Sequence, residues 1–187
     1  MGQPFFDMQV VFEGGNDVRE PYLAIAVDGT LLAVRNYKKQ LRRSEDGGQT
    51  WKELRISQVL PDGGGFGRGY GMKGGLTRLP INGRDILIFS NADTAGGDRK
   101  KMTVWASFDG AKTWPVKRLV YAPHGAYSSL VAGRPGTLSE GQVYLLFEGG
   151  ADGRYSAMQV ARFNLSWILE GERTGSGQVP EWVLSSP

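Results

Sequence analysis

The chain has 187 residues, 22 basic and 19 acidic side chains for a net charge of +3, and a 40% hydrophobic share. That length and apolar content exclude a disordered chain and suit one folded domain, with 28 glycines and 9 prolines marking many turns. The absence of cysteine excludes a disulfide framework and a thiolate metal site, and the mild positive charge suits an acidic ligand without demanding nucleic acid.

From the N-terminus, Met1-Gly2-Gln3-Pro4-Phe5-Phe6-Asp7 has no basic segment followed by an apolar stretch. No later run is apolar over a membrane-spanning length, so neither a signal peptide nor a membrane contact is expected and the default location is cytoplasmic. Leu23, Ile25 and Val27 alternate with Tyr22, Ala24 and Ala26, Asp28-Gly29 supplies a turn, and Leu31 to Val34 completes a β-hairpin. Gln40 to Arg43 and Trp51 to Ile56 read as a third and fourth strand. The four-stroke pattern returns in Met72 to Leu79, Asp85 to Ser90, Met102 to Ser107 and Trp114 to Tyr121. A third, incomplete unit runs through Tyr127 to Ala132, Val143 to Glu148 and Met158 to Phe163. Residues from about Glu170 to Val179 read as a polar linker, and Trp182-Val183-Leu184 as a candidate edge strand.

One phrase occurs twice, as Ser44-Glu45-Asp46-Gly47-Gly48-Gln49-Thr50-Trp51 and Ser107-Phe108-Asp109-Gly110-Ala111-Lys112-Thr113-Trp114. In each copy the aspartate is placed to accept backbone N–H groups further along the turn, and glycine relieves the limit on positive φ. The closing Trp51 or Trp114 anchors the turn to its own sheet. The first copy resembles the Asp-box of sialidases and other β-propellers; the second departs from it by carrying Ala111 where the later glycine belongs. Four-stranded units repeated in this way predict an all-β propeller, whose ring typically needs about four to eight blades. Roughly three are counted here, in a single partial-propeller domain over residues 1–187. Either a second copy closes the ring as a homodimer, or the chain is a fragment with exposed sheet edges.

A series of phrases narrows the resemblance to the C-terminal half of the exo-sialidase (neuraminidase) family. In order they are Glu20-Pro21, Arg35-Asn36-Tyr37, Gly74-Gly75-Leu76-Thr77-Arg78-Leu79-Pro80, Ile86-Leu87-Ile88-Phe89-Ser90-Asn91, Arg99 before Met102-Thr103-Val104, Gly125-Ala126-Tyr127-Ser128-Ser129-Leu130, Leu146-Phe147-Glu148-Gly149-Gly150 and Ala161-Arg162-Phe163-Asn164-Leu165. The resemblance implies about three four-stranded blades of a six-bladed ring. It also implies a retaining glycoside hydrolase that releases terminal sialic acid from glycoconjugates. The expected partner is a sialylated glycan or another acidic sugar, with no nucleic acid, no cofactor and no metal.

A sialic acid carries a carboxylate beside its anomeric carbon, so a carboxylate nucleophile would meet repulsion that a neutral tyrosine avoids. The resemblance makes Tyr127 that nucleophile and Glu20 the base that activates it. Arg99 and Arg35 are the guanidinium groups for the substrate carboxylate. A competing alignment matches Arg19-Glu20-Pro21 to the family's first blade; Arg19 then becomes the arginine, Glu148 its buttress, and Glu20 loses its catalytic role. The continuous order of the phrases favours the first alignment. The family's acid/base aspartate is not found in either, so the alternative is a catalytically inactive or truncated propeller module that binds acidic glycans or proteins.

The remaining motifs have plainer readings. His124 is a loop residue, since one histidine without cysteine makes a poor metal site. Gly69-Tyr70-Gly71-Met72-Lys73-Gly74 matches G-x-G-x-x-G, but no helical pattern follows it. Lys38-Lys39 and Arg42-Arg43 form a charged turn and strand, and Asn164-Leu165-Ser166 is a glycosylation sequon only in a secreted protein.

Overall fold

The alternating stretches assemble into two antiparallel sheets in the computed structural model, which describes residues 7–8, 10, 21–25, 30–35, 40–61, 72–81, 83–94 and 99–184. The first sheet has the order β1 (Pro21–Ile25), β2 (Leu31–Arg35), β3 (Gln40–Ser44) and β4 (Lys52–Ile56). Its β1–β2 register sets Pro21 opposite Arg35 and Ile25 opposite Leu31. The second sheet runs through β5 (Gly75–Arg78), β6 (Leu87–Ala92), β7 (Lys100–Ser107), β8 (Val116–Ala132), β9 (Gln142–Gly150) and β10 (Met158–Asn164).

The strand expected at Trp114 to Tyr121 and the one expected at Tyr127 to Ala132 are a single 17-residue strand, β8. Its first half pairs with β7 and its second half with β9. His124 sits where they meet, opposite Lys100 on one side and Gly150 on the other, so ladder partners continue through the crossover. Register shifts between Gly125 and Ser128 turn the strand from one sheet unit into the next. The architecture is therefore an all-β partial propeller: one blade from β1 to β4, a second from β5 to the first half of β8, and a third, three-stranded among the described residues, from the second half of β8 to β10.

Both Asp-box turns close as their chemistry predicts. Asp46 Oδ1 accepts from Thr50 N at 2.9 Å and from Ser44 Oγ at 2.7 Å, while Ser44 Oγ accepts from Gly48 N at 2.8 Å. Asp109 Oδ1 likewise accepts from Lys112 N at 3.0 Å, Thr113 N at 2.9 Å and Ser107 Oγ at 3.0 Å. Gly48 has φ 93°, and Ala111, in the equivalent place, is held at φ 64°. The Thr50 hydroxyl and N–H hold the Asp46 carboxyl well below the usual carboxylate range.

Two apolar clusters fill the spaces between blades. Leu32, Leu41, Leu87, Phe89, Trp105 and Trp114 lie between the first and second blades, and Ile86, Ile88, Val104, Val116, Leu145 and Phe147 between the second and third. Arg43 ties the first blade to the second, donating from Nη1 to the Gly110 carbonyl at 2.7 Å while almost wholly buried. Its place in a charged strand on the sequence conceals a guanidinium turned into an interblade seam.

The segment read as a linker is instead a clasp. Asn164 caps α1 (Leu165–Leu169) by accepting from Trp167 N at 2.9 Å, which gives the sequon's asparagine a structural task. The following β11 (Glu172–Arg173) pairs with the first half of β8. Thr174 N then donates to the Pro115 carbonyl at 3.1 Å, and Ser176 Oγ accepts from Trp114 N at 3.3 Å, so the chain returns to the second Asp-box. Trp182-Val183-Leu184 lies in α2 (Glu181–Leu184) rather than an edge strand. Trp182 meets Phe108 edge-on at 6.0 Å and carries the Arg84 guanidinium 4.7 Å over its ring, so tertiary partners rather than a sheet edge decide its conformation. Among the described residues, no helix is long and apolar enough to cross a membrane.

Candidate functional site

The site forms where the second and third blades meet. Ser128 N donates to the Lys73 carbonyl at 2.9 Å, and a Cβ on Gly75 would stand 2.7 Å from Leu130 N. These two contacts, two residues apart on each chain, set β5 and the second half of β8 side by side in the same direction. A distance that short leaves no room for a side chain, which is why the Gly74-Gly75 pair stands at this point. Ser90 Oγ completes the junction: it accepts from Gly75 N at 3.0 Å and shares a hydrogen bond of 2.9 Å with Ser128 Oγ. The two buried hydroxyls satisfy each other and fix the backbone next to Tyr127.

Tyr127 is 39% exposed, on the open side of this junction. Its N–H donates to Glu148 Oε2 at 3.2 Å, and the Arg99 guanidinium carbon lies 5.1 Å from its ring centroid, within cation–π range. Arg99 is brought there by its backbone, whose carbonyl accepts from Gly125 N at 2.8 Å. Its Nη1 also donates to the Tyr155 hydroxyl at 3.2 Å. Lys73, Tyr127, Ser129, Leu146, Glu148 and Met158 line an open depression of about 210 Å³. Its lining therefore presents a phenol, one ammonium and a carboxylate, with the Arg99 guanidinium over the phenol ring.

Of the residues singled out from the sequence, the structure brings Tyr127, Arg99 and Glu148 together. Glu148 supports the Tyr127 backbone, whereas the competing alignment made it a buttress for Arg19. Glu20 and Arg19 lie outside the described residues. Arg35 ends β2, its backbone opposite Pro21, the residue that follows Glu20. The part of the glycine-rich match that is described runs into strand β5, not into the helix a phosphate-binding loop needs. Lys38 and Lys39 lie outside the described residues, and His124 is half-buried in the ladder of β8 rather than in a loop. Among the described residues, no three of His, Asp and Glu converge as a metal site.

Three features escaped the sequence. Lys73 was noticed only as part of the glycine-rich match, and Ser90 and Ser128 only as letters in longer phrases. Ser90 stands between Phe89 and Asn91 and Ser128 between Tyr127 and Ser129, so no apolar frame marks either in the sequence. Tyr155 had no signal at all, because its partner is 56 positions away.

No family model matches the chain. A sialidase of Micromonospora viridifaciens is 30% identical over 150 residues, covering 75% of this chain and 21% of that protein. Among solved structures, the intramolecular trans-sialidase of Ruminococcus gnavus superposes with a TM-score of 0.61 at 20% identity, over 82% of this chain and 34% of its own. The leech intramolecular trans-sialidase gives 0.63 at 21% identity, and the NanB sialidase of Streptococcus pneumoniae 0.64 at 17%; each is matched over 82% of this chain and 24% of its own. The chain thus spans between about a fifth and a third of the proteins it matches. The ordered phrases, the blade architecture and these likenesses agree, and the chain belongs to the exo-sialidase family as a part of its propeller.

Proposed function

We propose that this chain carries part of the active site of a retaining exo-sialidase, a glycoside hydrolase that releases terminal sialic acid from glycoconjugates. The observation that carries the reading is the meeting of Tyr127 and Arg99, distant in sequence, with the guanidinium 5.1 Å from the ring and Glu148 on the tyrosine's N–H. In the reaction, the Tyr127 oxygen attacks the anomeric carbon as the glycosidic bond breaks, and Glu20 takes the phenolic proton. Arg99, with Arg35 as the second guanidinium, holds the substrate carboxylate. Water then attacks the same carbon, displaces the phenol and leaves the configuration retained.

Protonation of the leaving oxygen needs an acid; the resemblance identifies no counterpart of the family's acid/base aspartate in this sequence, and such a group is worth about a hundred- to ten-thousand-fold in rate. The exposed side chains of Val131, Leu146, Met158 and Val160 lie on the third blade's open face, which a further blade would cover. That blade comes from a second copy in a homodimer or from the rest of a longer protein, and completes the pocket.

The test is release of the fluorophore from a sialic acid fluorogenic glycoside by the wild-type chain and by Tyr127→Phe. Turnover abolished by the substitution supports the proposal. Wild-type binding of N-acetylneuraminic acid without turnover, unaltered in Tyr127→Phe, favours the second reading, a silent module for acidic glycans. The small share of its relatives that the chain spans is what keeps that second reading in play.

A further inference from the structure

We infer that Tyr155 is a positioning residue for Arg99, setting the guanidinium over Tyr127 so that it meets a substrate carboxylate in one orientation; this rests on the function proposed above. An arginine side chain carries roughly 2 kcal/mol of rotamer entropy, so holding it in one arrangement before the ligand arrives removes a cost from binding. Three contacts from different parts of the chain hold Arg99: the Gly125 N–H on its carbonyl, the Tyr127 ring beneath its guanidinium, and the Tyr155 hydroxyl accepting from Nη1 at 3.2 Å.

The turn that carries Tyr155 is itself braced. Gly149 N donates to the Ala157 carbonyl at 2.9 Å, and Ser156 Oγ donates to the Gly153 carbonyl at 2.9 Å. Gln159 Nε2 donates to the Gly149 carbonyl at 3.0 Å. The Arg154 guanidinium lies 5.7 Å over the Tyr155 ring. Tyr155 is otherwise 66% exposed, so burial does not account for a large aromatic at the tip of this turn, whereas the bond to Arg99 does.

The test compares the full 187-residue chain with Tyr155→Phe and Arg154→Ala. Tyr155→Phe keeps the ring and removes the acceptor; Arg154→Ala keeps the acceptor and frees one face of the ring. The first readout needs no ligand: the side-chain N–H resonances of Arg99, assigned with Arg99→Lys, should shift and exchange faster with water in Tyr155→Phe and change less in Arg154→Ala. The second is titration with N-acetylneuraminic acid and with its methyl ester. Loss of a hydrogen bond that orients a charged group should weaken the acid about three- to tenfold and leave the ester unchanged. Arg99 resonances identical in wild type and Tyr155→Phe overturn the inference, as does an equal loss for acid and ester. A wild-type chain that binds neither sugar counts against the proposed function, and the Arg99 resonances then decide the positioning alone.

Discussion

Asp109→Ala isolates what the second Asp-box contributes. The carboxylate accepts from Ser107 Oγ, Lys112 N, Thr113 N and Thr113 Oγ1 at distances between 2.6 and 3.0 Å. Hydrogen bonds to a charged acceptor are worth about 1.5 to 3 kcal/mol each, but this turn is half-exposed and its freed donors return partly to water. Counting the two backbone donors at about 1 kcal/mol each, as for the loss of a helix N-cap, and little for the hydroxyls, gives a loss of about 2 to 3 kcal/mol. For a chain of this size each kcal/mol moves the melting temperature by about 2 to 4 °C, so a fall of about 5 to 10 °C is expected in a thermal melt followed by circular dichroism at neutral pH. Asp109→Asn, which keeps one acceptor oxygen, should lose about half as much. N-acetylneuraminic acid binding, measured well below the melt, should not change. A drop under about 2 °C, or a loss of binding with the melt intact, refutes the assignment of this turn to structure rather than chemistry.

Further outcomes follow from the same geometry. Gly75→Ala places a methyl carbon 2.7 Å from Leu130 N and 2.8 Å from Ser90 Oγ, so the strands at the blade junction must separate. A cost of about 3 kcal/mol is expected by chemical denaturation, with the Arg99 side-chain resonances disturbed as well; a neutral effect would contradict the close approach. The Asp46 carboxyl is depressed in the folded state, chiefly by the Thr50 hydroxyl and N–H, from an ordinary value of 3.8. Its contribution to stability is therefore complete above about pH 4 and is lost as the pH falls through the folded value. Asp46→Asn should flatten the fall in unfolding midpoint between pH 5 and pH 2, and an unchanged slope would remove Asp46 as its source. Tyr127→Phe should abolish release from the fluorogenic sialoside and leave the melting temperature nearly unchanged, because the tyrosine is 39% exposed and its bond to Glu148 uses the backbone N–H.

The parts legible in the sequence were those decided by neighbours along the chain. Alternation with period two, interrupted at Asp28-Gly29 in the sequence, suffices for β1 and β2, and the spacing from Ser44 to Thr50 suffices for a turn whose bonds span at most four residues. The site was legible as separate letters: Tyr127, Arg99 and Glu148 stand in phrases that resemble the family's. That Arg99 lies over Tyr127 follows only from the path of β7 and β8 across the sheet.

Where the partner is remote, local pattern misleads. The strand break expected before Tyr127 is absent because Lys100 and Gly150 both offer ladder bonds to His124, and the tail reads as a polar linker until Trp114, Pro115 and Phe108 are there to receive it. Sequence alone determined the β-strands and the two repeated turns, since these rest on backbone propensity and on bonds within a few residues, and it carried the family as a resemblance in ordered phrases. The tertiary structure decided the continuous β8, the clasp, the buried Arg43 and the company Arg99 keeps, because each depends on groups brought together across tens of residues by packing between blades.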